Sequence, residues 1–131
     1  MDRKGHALKL RSERYNCAQA VICAFADKID IEESDLKRIG AAFGGGMGCL
    51  KGNCGALIGA QILLGLMRYE GMPIGKDVSY VLQEFERRCG DITCSRLKGI
   101  GTGEVLCSCP DCIMNAVGII EEMLEGEDVH Q

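Results

Sequence analysis

The run Gly44-Gly45-Gly46-Met47-Gly48-Cys49-Leu50-Lys51-Gly52-Asn53-Cys54-Gly55-Ala56-Leu57-Ile58-Gly59-Ala60 limits what this chain can fold into more than any other stretch. A glycine-rich loop carrying Cys49 leads into a helix that begins at Cys54 and is paved with small residues. The unpaired amides at a helix start, and the positive end of its dipole, stabilise a thiolate there. Gly55 and Gly59 sit four apart, as do Ala56 and Ala60, so each pair lays a flat stripe on one helix face where another backbone can come close. The stretch reads as part of a helical scaffold that gathers thiolates from separate segments into one site.

A chain of 131 residues suits one domain, 1–131, with one core. The net charge of -4, with scattered acidic residues, argues against nucleic acid, which needs a basic footprint. No apolar run reaches the roughly 18 residues of a membrane span, so an integral membrane protein is not expected. Met1 to Arg11 is charged and lacks the apolar stretch of a signal peptide, which points to the cytoplasm and its reducing pool. Nine cysteines in that setting favour metal-binding or catalytic roles over a disulfide framework, and an odd number cannot all pair within one chain.

The expected fold class is all-α, a single compact bundle of about five or six helices. Asp2 to Tyr15 reads as the first helix, with Ala7, Leu8 and Leu10 inward. Asn16 is a reasonable N-cap for a second helix, Cys17 to Lys28, that is apolar nearly all round. A third starts at Ser34, turns Leu36, Ile39 and Phe43 inward, and ends at the glycines 44–46. A fourth runs from about Asn53 to Arg68 and stops at Gly71-Met72-Pro73. Asp77 to Cys89 is the best amphipathic segment, with Val78, Val81, Leu82, Phe85 and Cys89 at helical spacing and Gly90 as its stop. Asp91 or Thr93 caps a short turn holding Cys94 and Leu97, and the last helix runs from Cys109 or Pro110 to a stop at Gly126. No alternating strand pattern is present.

Cys17, Cys54, Cys94 and Cys112 each lie at or near the start of one of these helices, and four such positions could converge at one end of a bundle. The plain alternative is that they are small buried hydrophobes. The densest cluster is Cys107-x-Cys109-Pro110-Asp111-Cys112. Cys109 and Cys112 form a C-x-x-C at a helix start, the arrangement of a redox-active dithiol or of a soft-metal chelate, with Cys54 as another low-pKa thiol. Ile113 stands where a haem-attachment motif needs histidine. Cys49, Cys89, Cys107 and Cys109 are additional ligand candidates; the apolar stripe favours plain core for Cys89, and loop placement favours a ligand or exposed thiol for Cys49. At about 100° per residue Cys23 lies roughly 120° from Cys17, so the two do not easily share a site and Cys23 reads as core. Gly44 to Gly48 lacks the preceding strand and following Gly-Lys-Ser/Thr of a phosphate loop. His6 and His130 lie near the termini, away from cysteine in sequence, and are expected to be exposed.

These residues resemble a family of redox-active proteins named for its C_GCAxxG_C_C pattern. Tyr15-Asn16-Cys17-Ala18-Gln19-Ala20-Val21 looks like its first motif. Phe43-Gly44-Gly45-Gly46 followed by Cys54-Gly55-Ala56-Leu57-Ile58-Gly59-Ala60 looks like the central one. Phe85 to Gly90 with Cys94 and Leu97 resembles the third block, and Cys112 the fourth. The resemblance carries the four family cysteines onto Cys17, Cys54, Cys94 and Cys112. It also implies likeness to a domain of split-Soret cytochromes, helical dimeric proteins with haem and an iron–sulfur centre. This chain lacks C-x-x-C-H, so covalent haem is not implied, while a homodimer is.

Three functions compete. Four thiolates with no nearby histidine select iron–sulfur or zinc, and their spread along the chain favours an iron–sulfur cluster for electron transfer with a redox partner that the sequence does not name. A thiol–disulfide protein using cysteine pairs is the alternative. A structural zinc or interaction module is the third reading. No acid–base set stands out, so no reaction is assigned.

Overall fold

The structure is a computed structural model. It describes residues 2–130, with side chains through Gly126. The helices are α1 (Arg3–Ser12), α2 (Cys17–Cys23), α3 (Glu33–Gly40), α4 (Gly44–Met47), α5 (Gly55–Arg68), α6 (Gly75–Cys89), α7 (Cys94–Leu97) and α8 (Cys109–His130), with a 3₁₀ turn at Ala26–Lys28. The class is all-α. Six helices are of ordinary length, and α4 and α7 are single turns.

Helix α2 is the hub and packs on α1, α3, α5 and α8. Cys17, Ala18, Ala20, Val21, Ile22 and Cys23 are all buried, as the all-round apolar pattern requires. Its start is fixed by a capping box: the Asn16 side chain accepts from the Gln19 amide at 2.7 Å, and the Gln19 side chain accepts from the Asn16 amide at 2.8 Å. The Asn16 carboxamide also donates to the carbonyls of Gly40 and Ala41, tying the end of α3 to the start of α2.

The small-residue stripe of α5 is filled from within the chain. A Cβ at Gly59 would lie 2.9 Å from the Ala18 carbonyl oxygen and 3.2 Å from Val21 Cβ, and one at Gly55 would collide with Cys17 Sγ. Thus α5 rests on α2 with backbone nearly touching backbone. Helices α6 and α8 close the other side of α5, and Arg88 fastens α6 to α8 by pairing with Glu122 at 2.7 Å, while Glu84 on α6 itself holds the guanidinium at 3.1 Å.

Several boundaries differ from the sequence expectation. Helix α1 stops at Ser12 rather than near Tyr15, and Arg14 turns into the left-handed region at φ 76. The second helix ends at Cys23 and gives way to the 3₁₀ turn instead of continuing to Lys28. Helix α3 starts at Glu33 and ends at Gly40, and Ile39 is 38% exposed rather than inward. Gly90 does end α6, at φ 98, but α8 runs through Gly126 to His130. A glycine inside a helix costs only about 1 kcal/mol, and a long helix carries that. Gly45 and Gly46, at φ 59 and 60, make α4 a left-handed turn.

One strand-like contact was not foreseen, an isolated antiparallel bridge between Asn53 and Thr93. The Cys54 amide donates to the Ile92 carbonyl at 2.7 Å and the Cys94 amide to the Gly52 carbonyl at 3.0 Å. A bridge of one residue pair leaves no alternating pattern to read. Among the described residues, no helix is long and apolar enough to cross a membrane.

The α2–α5 contact makes two glycines of one helix respond oppositely to the same change. Gly59→Ala should lose roughly 1–3 kcal/mol by overpacking. Gly65→Ala, with nothing within 4 Å of the added Cβ, should gain roughly 0.5–1 kcal/mol from helix propensity. Urea unfolding of both variants checks this; a stabilised Gly59→Ala protein would contradict the close approach.

Candidate thiolate site

Five local devices bring cysteines to one end of the bundle. The Asn16 capping box sets Cys17 as the first residue of α2. The Asn53–Thr93 bridge holds Cys54, the residue capping α5, beside Cys94, the first residue of α7. The Leu97 carbonyl accepts from the amides of Leu106 and Cys107 and folds the glycine-rich loop back on α7. Ser108 caps α8, its hydroxyl accepting from the Asp111 amide at 3.3 Å and its carbonyl from the Cys112 amide at 2.8 Å, which places Cys109 and Cys112 in the first turn. The Arg88–Glu122 pair ties the end of α6, with Cys89, against α8.

The result is a cavity of about 20 Å³ lined by Cys17, Cys54, Cys94, Cys107, Cys109 and Cys112, together with Gly55, Leu97 and Lys98. Cys109 is half-buried and the other five are buried. The site has two halves. On one side Cys17 and Cys109 share a side-chain hydrogen bond, with Arg11 and Lys98 acting on Cys109. On the other, the sulfurs of Cys89, Cys107 and Cys112 all lie within 4.8 Å of one another. Cys112 also bonds Cys54, and its thiol reaches the Cys107 carbonyl at 3.7 Å.

The electrostatics follow these contacts. Cys109 is held down to about 5, first by the hydrogen bond from the Cys17 thiol, then by Arg11 and Lys98, against the cost of burial. Cys17 is pushed up, by the same bond and by burial. Cys54 is lowered by the bond from Cys112 and by the free amides of Ala56 and Leu57 at the start of α5. Cys89 is brought to about 7 by Cys112, Cys107 and the Asn115 carboxamide. Cys112 is pushed strongly up by its bonds to Cys54 and Cys89 and by burial. Cys107 rises to about 11, mainly by burial. Cys94 is raised by burial, with Lys98 pulling the other way.

Of the sequence candidates, Cys17, Cys54, Cys94, Cys107, Cys109 and Cys112 face this cavity, and Cys89 adjoins it through Cys107 and Cys112. Cys49 does not: it is exposed on the glycine-rich loop, its thiol reaching only the Gly46 carbonyl at 3.7 Å. Cys89 is buried in the core, as its apolar stripe favoured, and its sulfur also lies within 4.8 Å of those of Cys107 and Cys112. The C-x-x-C also divides, Cys109 hydrogen-bonding with Cys17 and Cys112 with Cys54 and Cys89. Cys23 is fully buried elsewhere on α2 and is raised to about 11 by burial. His6 is half-buried on α1, and the side chain of His130 lies outside those described. Arg11, Lys98 and Asn115 were not picked out from sequence, since nothing in their spacing links them to a cysteine.

Chemically, the lining suits a soft metal, because its donors are sulfur and the neighbouring cations offset thiolate charge. With a zinc–sulfur bond of about 2.3 Å, a tetrahedral ion sets its sulfurs about 3.8 Å apart, and those of Cys89, Cys107 and Cys112 all lie within 4.8 Å of one another. A buried water needs roughly 10–15 Å³, so the cavity admits a single ion as it stands, whereas an inorganic cluster requires its walls to part.

No curated protein and no solved structure matches the chain. A family model does match, over residues 15–123, and its description reads "Putative redox-active protein (C_GCAxxG_C_C)". That span contains Cys17, Cys54, Cys94 and Cys112 together with every other cysteine of the chain. The chain belongs to this C_GCAxxG_C_C family of redox-active proteins.

Proposed function

We propose that this protein transfers electrons at a cysteine-ligated iron–sulfur centre. The observation that carries the reading is the cavity to which six cysteines come from distant parts of the chain. Cys17, Cys54, Cys94 and Cys112 would hold the centre, with Cys109 as a further sulfur on the same wall. When bound, such a centre supplies one-electron chemistry. Zinc is redox-inert, so membership of a redox family favours iron. The residues themselves have definite tasks. The start of α5 stabilises a Cys54 thiolate, Lys98 and Arg11 balance negative charge, and burial restricts water. A reducing compartment such as the cytoplasm would keep the thiols available.

Protein purified without oxygen should absorb in the visible region, and Cys54→Ser and Cys17→Ser should each remove most of that absorption. Cys49→Ser, altering an exposed thiol outside the cavity, should leave it intact. A colourless, iron-free wild-type protein with unchanged helicity would overturn the reading.

The pairing of Cys17 with Cys109 favours a second reading, a thiol–disulfide couple. A thiol held near 5 stays ionised as pH falls to that value, whereas an ordinary thiol ionises near 8.5. In reduced, metal-free protein, alkylation of Cys109 by iodoacetamide should therefore level off above about pH 6. Arg11→Gln removes a lowering influence and should move the inflection upward. Peptide mapping across a pH series reads this directly; a single inflection near pH 8–9 at Cys109 would contradict the thiolate assignment.

A further inference from the structure

The geometry points to a single-ion metal site at Cys89, Cys107 and Cys112, a set that shares only Cys112 with the family pattern. The three residues come from the end of α6, the loop before α8, and the first turn of α8. They are 3%, 8% and 2% exposed, and their sulfurs lie within 4.8 Å of one another. Ordinary core cysteines need no such convergence, since any small apolar side chain fills the same space.

A second observation concerns Asn115. Its carboxamide nitrogen lies 3.4 Å from Cys89 Sγ and 3.9 Å from Cys107 Sγ. One turn along α8 from Cys112, it aims N–H at two of the three sulfurs. Amide donors around ligating sulfurs orient them and disperse their charge.

The donor set selects the ligand. Three sulfurs with no carboxylate among them exclude calcium and magnesium, which require oxygen. They take a single thiophilic divalent ion of the zinc class, whose tetrahedral sulfur spacing of about 3.8 Å is reached by small side-chain movements. Binding releases the thiol protons. A tetrahedral ion needs a fourth ligand, and Cys54, hydrogen-bonded to Cys112, is a candidate for it. Cys112 is thus common to this site and to the ligand set proposed for electron transfer, Cys107 also lines that cavity, and Cys89 lies outside its lining. The inference does not rest on the iron–sulfur reading.

The test uses the full chain, reduced and iron-free, titrated with Co²⁺ without oxygen and then with Zn²⁺ in competition. One equivalent should bind with thiolate-to-cobalt charge-transfer absorption. Cys89→Ser and Cys107→Ser should each weaken binding at least about a hundredfold, and Asn115→Ala, which leaves every sulfur in place, by about tenfold. Cys49→Ser, which alters an exposed thiol outside both sites, should bind as wild type does. Unchanged binding in both Cys89→Ser and Cys107→Ser, or loss in Cys49→Ser alone, would overturn the site. Should a serine variant lose its helicity, wild-type protein decides the matter by alkylation and mass mapping. Zn²⁺ should protect Cys89, Cys107 and Cys112 while Cys109 stays labelled, and equal labelling with and without Zn²⁺ would contradict the site. Iron and sulfide in the protein as isolated report separately on the electron-transfer reading.

Discussion

The contact of α5 on α2 sets the distance between the first two cysteines of the family pattern. Gly55 lies directly against Cys17 Sγ, and Gly59 against the backbone of Ala18. Side chains at those positions would push the helices apart and carry Cys54 away from Cys17. The other contacts of the site build outward from this one. The Asn53–Thr93 bridge hangs α7 and Cys94 on the start of α5. Gly46 leaves room for Cys94, since a Cβ there would come within 2.6 Å of Cys94 Cβ. The loop folded on the Leu97 carbonyl then delivers Cys107 and the start of α8.

Concentrating sulfur in this way has an electrostatic consequence. Thiolates this close repel one another, and burial opposes each charge. The structure meets the problem by pairing: Cys109 is favoured as a thiolate and Cys17 as a thiol, and Cys54 and Cys89 both draw on Cys112. The same pairing suits metal binding, since an ion replaces shared protons with positive charge. It also suits thiol exchange at Cys109, which is the least buried sulfur of the cavity and the one with two cations acting on it.

The helical class and several joints were legible from residues alone. Asn16 announced the start of α2, Gly90 the end of α6, and the all-round apolar run of α2 its central place. Cysteines at helix starts marked Cys17, Cys54, Cys94 and Cys112 as candidates, and the structure sets all four around one cavity. What sequence could not show were relations between distant segments. Cys89 occupies a core-facing position on its own helix, and only the packing of α6 on α8 turns it into a neighbour of Cys107 and Cys112. Spacing coupled Cys109 to Cys112, yet residues three apart in a first turn diverged toward different partners. The bridge at Asn53 involves one residue pair and carries no periodic signal, and Gly126 resembles a helix stop only until the length of α8 is known.

The arrangement as a whole describes a member of a redox family whose cysteines are gathered at one end of the bundle by helix starts and glycine contacts rather than by short chelating motifs. The most direct measurement is the content of iron, acid-labile sulfide and zinc per chain in protein purified without oxygen. The account expects iron and sulfide in near-equal amounts. Folded protein containing neither iron nor sulfide would contradict it.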